Sequence, residues 1–171
     1  MRSWPGNAWL GSFWRAAAMA DGHRIRPARP EEADALTSLA RRSKAHWPYD
    51  EALMAVFNRT IAITREAIAA HVVLVHETGD AVDGVGVLIP EGEDAELDHL
   101  WVDPPAIGRG VGRRLFDAFA EEARRHGAYR IVLNADPYAE GFYRRLGAVR
   151  IGGHPVAEIP GRVLPRMAIT L

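Results

Sequence analysis

The sequence predicts one α/β domain built on a mixed, mostly antiparallel central sheet with helices on its flanks. Short β-branched runs alternate with amphipathic stretches from His23 to the end of the chain. Two of those runs, "VVLVHE" and "GVGVLI", are joined by the turn-forming "TGDAVDG" and read as an antiparallel hairpin. A long amphipathic segment then separates further strand patterns, which is the α/β signature. The 171 residues are 48% apolar and 25% charged, ordinary for one soluble globular domain.

Taken in order, "HRIRPA" is a short strand, and Pro30, Glu31 and Glu32 open a helix with proline and acids in its first turn. Ala33, Leu36, Leu39 and Ala40 give that helix an apolar face. "HWPYD" interrupts, and "DEALMAVFN" follows as a second helix with Asp50 as its cap. "TREAIAAH" adds one or two helical turns before the hairpin. "AELDHLWV" is a third strand of the sheet, ended by Asp103, Pro104 and Pro105. A glycine loop and a helix of about four turns to His126 come next. In that helix Val111, Leu115 and Phe119 share one face, and Arg124, Arg125 and Gly127 make a sound stop. "YRIVLN" is a strand, "AEGFYRRLG" a short helix ended by Gly147, and "AVRIGG" and "RVLPRMAITL" are closing strands.

The domain is expected over 23–171, with 1–22 an N-terminal extension. That extension holds Trp4, Trp9 and Trp14 among pattern-breaking Pro5, Gly6 and Gly11. It lacks the clean apolar run of a signal peptide and reads as an appended upstream stretch with Met19 as the natural start. The alternative is that its indoles anchor it to the domain or to a partner.

Bulk chemistry excludes several classes. With 21 basic and 22 acidic residues the formal charge is -1, so no overall field favours nucleic acid or an anionic membrane. Cysteine is absent, which removes disulfides, thiolate metal sites and a cysteine nucleophile, and fits a cytoplasmic protein. No stretch reaches the roughly 18 apolar residues of a membrane helix. The seven histidines form no close pairs, so no metal is expected.

The most informative stretch is "PPAIGRGVGRRLFDAF", with Gly108, Gly110 and Gly112 where a helix begins. A helix N-terminus offers unpaired N–H groups and partial positive charge, and glycines let an anion approach the backbone. Arg109, Arg113 and Arg114 add charge, so the loop reads as a phosphate cradle; the alternative is a tight turn that needs glycine only for its dihedral angles. No lysine completes a Walker loop, and Arg113 and Leu115 stand where a dinucleotide fingerprint needs glycine.

The run from Glu96 to Gly147 resembles the GNAT family of acetyl-CoA-dependent N-acyltransferases. The family's motif, [QR]-x-x-G-x-[GA] between a strand and a helix, is matched by Ile107-Gly108-Arg109-Gly110-Val111-Gly112. Its downstream motif, N-x-x-A-x-x-[FL]-Y-x-x-x-G, is matched in "DPYAEGFYRRLG" at Ala139, Phe142, Tyr143 and Gly147. Ile107 departs from Gln or Arg, at little expected loss because backbone amides carry such loops. Asp136 departs from Asn, which places an anion near a polyanionic cofactor and leaves Asn134 as its substitute.

The resemblance implies transfer of an acetyl group from acetyl-CoA, the co-substrate, to a primary amine by direct attack in a ternary complex. The alternative is a non-catalytic module that binds acyl-CoA. The amine must lose a proton, the thioester oxygen must be polarised, and the departing thiolate benefits from a proton. Family members with a carboxylate base place it eleven residues ahead of the first motif, at Glu96; His99 is the competitor. In a regular strand Glu96 and Asp98 share one face and His99 lies on the other, so only a bulge or a wide cleft lets Glu96 and His99 serve one amine. The resemblance further implies the Leu100 N–H as donor to the acetyl oxygen, the Val102 main chain as partner of the pantetheine arm, and Tyr143 as the thiolate's proton donor. The remaining cofactor contacts fall to the 107–113 loop and to Asn134, Asp136, Ala139 and Phe142. For the acceptor, Trp47 and Tyr49 offer aromatic surface to a cation, although a buried junction between helices explains Trp47 equally well, and Arg162 offers a guanidinium to a substrate carboxylate or to a neighbouring acid. The acceptor is a small-molecule or peptide amine, and a monomer and a homodimer both remain open.

Overall fold

The computed structural model describes residues 22–171, so the extension expected over 1–22, with its indoles and Met19, lies outside the described residues except for Gly22. The chain runs through β1 (His23–Pro27), a 3-10 turn (Pro30–Glu32), α1 (Ala33–Ala45), α2 (Glu51–Thr60), α3 (Arg65–Ala70), β2 (Val72–Thr78) and β3 (Ala81–Glu91). There follow β4 (Asp94–Val102), a second 3-10 turn (Pro104–Ala106), α4 (Val111–Arg125), β5 (Arg130–Asn134), α5 (Glu140–Arg145), β6 (Val149–Pro155) and β7 (Val163–Thr170). The seven strands form one sheet in the order β1-β2-β3-β4-β5-β7-β6. Every neighbouring pair is antiparallel except β4 and β5, which run parallel through the α4 crossover.

Two cores explain the layering. On one face α1, α2 and α3 bring Leu36, Leu39, Phe57 and Ile68 against Val73, Val75, Val85 and Val87. On the other, α4 brings Leu115 and Phe119 against Val72, Leu74, Leu88 and Leu97. The period-two alternation of 72 and 74 with 73 and 75 is why β2 reads as an unbroken apolar run: both of its faces are covered. Burying Phe119 completely contributes on the order of 2–3 kcal/mol. Its seat depends on Gly86, where an added Cβ would lie 2.5 Å from the Phe119 ring. Any larger residue there would lift α4 off the sheet.

Two elements differ from the sequence expectation. Pro30, Glu31 and Glu32 form a 3-10 turn before α1 instead of its first α-helical turn. The seven-residue turn "TGDAVDG" contracts to Gly79 and Asp80, since Thr78 already pairs with Ala81. Gly79 at φ +59° permits that tight reversal. Asp50 caps α2 as expected, its Oδ1 accepting the Leu53 N–H at 2.8 Å.

Candidate active site

The central strand β4 is irregular, and the irregularity decides which side chains meet. Leu97 pairs with Leu88 and His99 with Val87, so Asp98 is an extra, unpaired residue. Ala95 and Leu97 face the α4 side, and so do Leu100 and Val102, while Trp101 packs on the α1 side. The bulge therefore resets the alternation. The regular-strand expectation is corrected: His99 turns to the same α1-side face as Glu96 and Trp101. The Trp101 Nε1–H donates to His99 Nδ1 at 3.2 Å, and Asp98 Oδ2 lies 3.4 Å from His99 Nε2.

Because an indole nitrogen can only donate, His99 Nδ1 must accept, which puts the proton of the neutral ring on Nε2. Burial pushes the His99 imidazole below its ordinary value, with the Asp98 charge opposing that shift. Glu96 is gripped by Arg166 of β7, whose Nη1 and Nη2 donate to Oε1 and Oε2 at 2.5 Å each. Arg166 Nη1 also donates to Asn134 Oδ1 at 3.2 Å. Arg166 was not anticipated; nothing local in "RVLPRMAITL" marks it.

Beyond Glu96 the sheet opens. β4 and β5 pair only at Asp94, Ala95 and Glu96. The Asp103 N–H bonds to Asp83 of β3 at 2.9 Å, so strand parity aims residues 101 and 99 at β3 as well. The main-chain groups of Leu100 and Val102 then point the other way, into the space β5 vacates.

The glycine loop closes one end of that opening. Gly108 and Gly110 have φ of +82° and +84°, a region that disfavours other residues. A Cβ at Gly108 would meet nothing within 4 Å, and at Gly110 only the flexible Arg114 Nη1 at 3.1 Å. Gly110 is the N-cap of α4 and no side chain caps that helix. The first-turn N–H groups of a 15-residue helix are thus left without intrahelical partners behind open backbone. Such a cradle suits an anion, and the residues present fit a pyrophosphate. Of the neighbours, Val111 is buried in the α4-side core, Ile107 is half-buried, and Arg109 is exposed. Arg113 is spent on Asp117 at 3.0 Å on the helix surface.

Gly112 serves another purpose. A Cβ there would come within 3.3 Å of the Phe142 ring and 3.6 Å of Val102 Cγ2. The two motifs expected to cooperate therefore meet at this residue, α5 lying against the start of α4. Ala139 is the N-cap of α5, and Phe142 packs edge-on against Tyr143 with centroids 5.0 Å apart. Tyr143 is buried, and burial, reinforced by the Asp136 charge, raises its phenol well above the ordinary value. It therefore keeps its proton throughout the physiological range.

Near α5 lies a cluster joining four distant segments. The Lys44 ammonium pairs with Asp136, and the Tyr49 hydroxyl donates to the same carboxylate at 2.7 Å. Lys44 Nζ also sits 4.0 Å from the Phe57 ring centre and 4.5 Å from that of Tyr49. Arg162 Nη2 donates to the Tyr49 hydroxyl at 3.1 Å. Burial alone would raise the Asp136 carboxyl, but the Lys44 hydrogen bond and charge win and hold it below the ordinary range. The anion expected to trouble a polyanionic cofactor is thus neutralised from within. Trp47 stacks on Tyr138, rings 5.2 Å apart and nearly parallel. Lys44, Phe57 and Tyr138 escaped the sequence reading; a lysine on the buried face of α1 was the one available signal.

Among the described residues no group of three or more His, Asp or Glu side chains could hold a metal ion, and no helix is long and apolar enough to cross a membrane. Residues 33–148 match the model of the acetyltransferase (GNAT) family. Glucosamine 6-phosphate N-acetyltransferase 1 of Oryza sativa subsp. japonica is 33% identical over 147 residues, spanning 78% of this chain and 87% of that protein. The solved structure of a GCN5-related N-acetyltransferase from Rhodopseudomonas palustris superposes with a TM-score of 0.76 at 23% identity, covering 90% of this chain and 99% of that one. PaiA N-acetyltransferase from Thermoplasma acidophilum, solved in complex with coenzyme A, gives a TM-score of 0.70 at 18% identity over 90% of this chain and all of that one. At these identities the two solved structures speak for the fold.

Proposed function

Because the chain belongs to the GNAT family of acetyltransferases, we propose that it moves an acetyl group from acetyl-CoA to a primary amine by direct attack in a ternary complex. The observation that carries this reading is the opening of β4 from β5 after Glu96, set between an uncapped glycine-lined helix start and a buried, protonated Tyr143. Acetyl-CoA supplies the acyl group as an activated thioester. The α4 start, with Gly108, Gly110 and the first-turn N–H groups, holds its pyrophosphate, and 107–113 with Ala139 and Phe142 shape that end of the groove. The Val102 main chain receives the pantetheine arm, and the Leu100 N–H is the donor offered to the acetyl oxygen.

Glu96 takes the amine's proton. Arg166 occupies one lone pair on each Glu96 oxygen and keeps the carboxylate oriented, leaving further lone pairs open. His99 is the poorer base: its Nδ1 already accepts from Trp101, and charging it would set two N–H groups face to face in a buried place. It serves as a neutral wall of the amine site. Tyr143 then gives its proton to the departing thiolate. Asn134 and Asp136 act indirectly, Asn134 on Arg166 and Asp136 on Lys44 and Tyr49. Residues 23–171 carry the activity, and 1–22 are dispensable for it.

Incubation with acetyl-CoA and a pooled amine library, followed by mass spectrometry, tests the reading. An acetylated amine that appears only with enzyme supports it. A protein that binds acetyl-CoA tightly and acetylates nothing in a broad pool is a binding module instead.

A further inference from the structure

Within the cluster around Asp136, Arg162 is the cation held least closely by an anion. Arg166 and Glu96 close on each other through two hydrogen bonds, and Lys44 closes on Asp136. Arg162 makes one side-chain hydrogen bond, from Nη2 to the Tyr49 hydroxyl, and its 3.9 Å approach to Asp136 is too long for another. Among the described residues Nε and Nη1 have no hydrogen-bond partner, yet the side chain is only 16% exposed. These donors are open to solvent, and so to an incoming ligand, on a side chain that is otherwise largely covered.

The group is also held in place. Its main-chain N–H bonds to Ile159 at 3.0 Å, and its planar head lies 5.1 Å from the Tyr49 ring centre and 5.4 Å from that of Phe57. Asp136, already paired with Lys44, approaches Arg162 only at 3.9 Å. The Tyr49 ring already carries Lys44 and Arg162, two cations that would repel a substrate ammonium there. The amine end of the acceptor is left to Glu96 and the exposed Asp98.

We propose that the acceptor is an amine that also bears a carboxylate or phosphate, and that Arg162 binds this anion through its free donors. A rigid planar fork matches paired anionic oxygens, which gives orientation as well as affinity. The inference deepens the acetyl-transfer reading and rests on it.

Matched probes test it: 2-aminoethyl phosphate against ethanolamine, and β-alanine against propylamine. The wild type should favour at least one anionic member by tenfold or more in kcat/KM, and the pair that shows it tells phosphate from carboxylate. Arg162→Gln should abolish that preference through KM, and Arg162→Lys should restore part of it. A wild type that prefers the neutral amines, or a preference that survives in Arg162→Gln, overturns the inference. Should no amine turn over, the acetyl-transfer reading falls separately, and binding decides. Stabilisation of the wild type by 2-aminoethyl phosphate or β-alanine, absent in Arg162→Gln, supports the anion site; equal shifts in both proteins, or none, overturn it.

Discussion

Glu96 and Arg166 meet fork to fork across β5, both carboxylate oxygens held at 2.5 Å by two nitrogens of one guanidinium. Arg166 fixes where Glu96 points without exhausting what it can accept. Glu96→Gln, which removes the basicity and one of the two oxygens that accept from Arg166, should lower kcat by about two to four decades with acetyl-CoA affinity unchanged. His99→Gln should cost less than about tenfold, because Nδ1 is already engaged by Trp101. Steady-state kinetics with calorimetric acetyl-CoA binding separate the cases. A Glu96→Gln enzyme at full speed removes Glu96 from the chemistry.

Tyr143→Phe deletes one hydroxyl and keeps the ring that packs against Phe142. It should lower kcat by about one to two decades with little change in melting temperature. Burial raises the phenol, so no loss of activity assignable to Tyr143 should appear as pH climbs from neutrality toward the ordinary tyrosine value of about 10. Unaltered kcat in the variant would reduce Tyr143 to a packing residue.

Gly110→Asp separates folding from binding. Aspartate tolerates φ near +84° better than most residues and is a favourable helix cap, so α4 should survive. Its carboxylate, placed at the uncapped helix start, should abolish acetyl-CoA binding. Calorimetry on a variant of near-normal melting temperature is the check, and retained affinity would move the pyrophosphate elsewhere.

His99 also predicts a pH dependence of stability. Its folded value is depressed by burial, so the unfolded chain takes up the proton first as pH falls. The contribution of neutral His99 is complete above the unfolded value of about 6.5 and is lost as pH drops through the lower folded value. Melting temperature should therefore decline from pH 7.5 to pH 5 more steeply in the wild type than in His99→Gln. Parallel declines would show that His99 is not so perturbed.

The sequence made legible whatever is local. The α4 face, the Asp50 cap and the two motifs around Gly110 and Tyr143 rest on spacing within a few residues, and the structure has these elements where the pattern put them. The bulge at Asp98 was not legible, because nothing in "AELDHLWV" marks an extra residue until the partner strand is present. Long-range pairs were hidden for a related reason. Arg166 reaches Glu96 across 70 positions, Lys44 reaches Asp136 across 92, and Arg162 reaches Tyr49 across 113. Such pairs are set by sheet order, with β7 inserted between β5 and β6, which no local pattern encodes.

Acetyl transfer in a ternary complex has a kinetic signature, read from the initial rate of coenzyme A release at varied acetyl-CoA and varied amine. Release should depend on the amine and give intersecting double-reciprocal lines, since no nucleophile is needed to carry the acetyl group on the protein. Parallel lines with acetylated protein, or no amine-dependent release despite saturable acetyl-CoA binding, would contradict it.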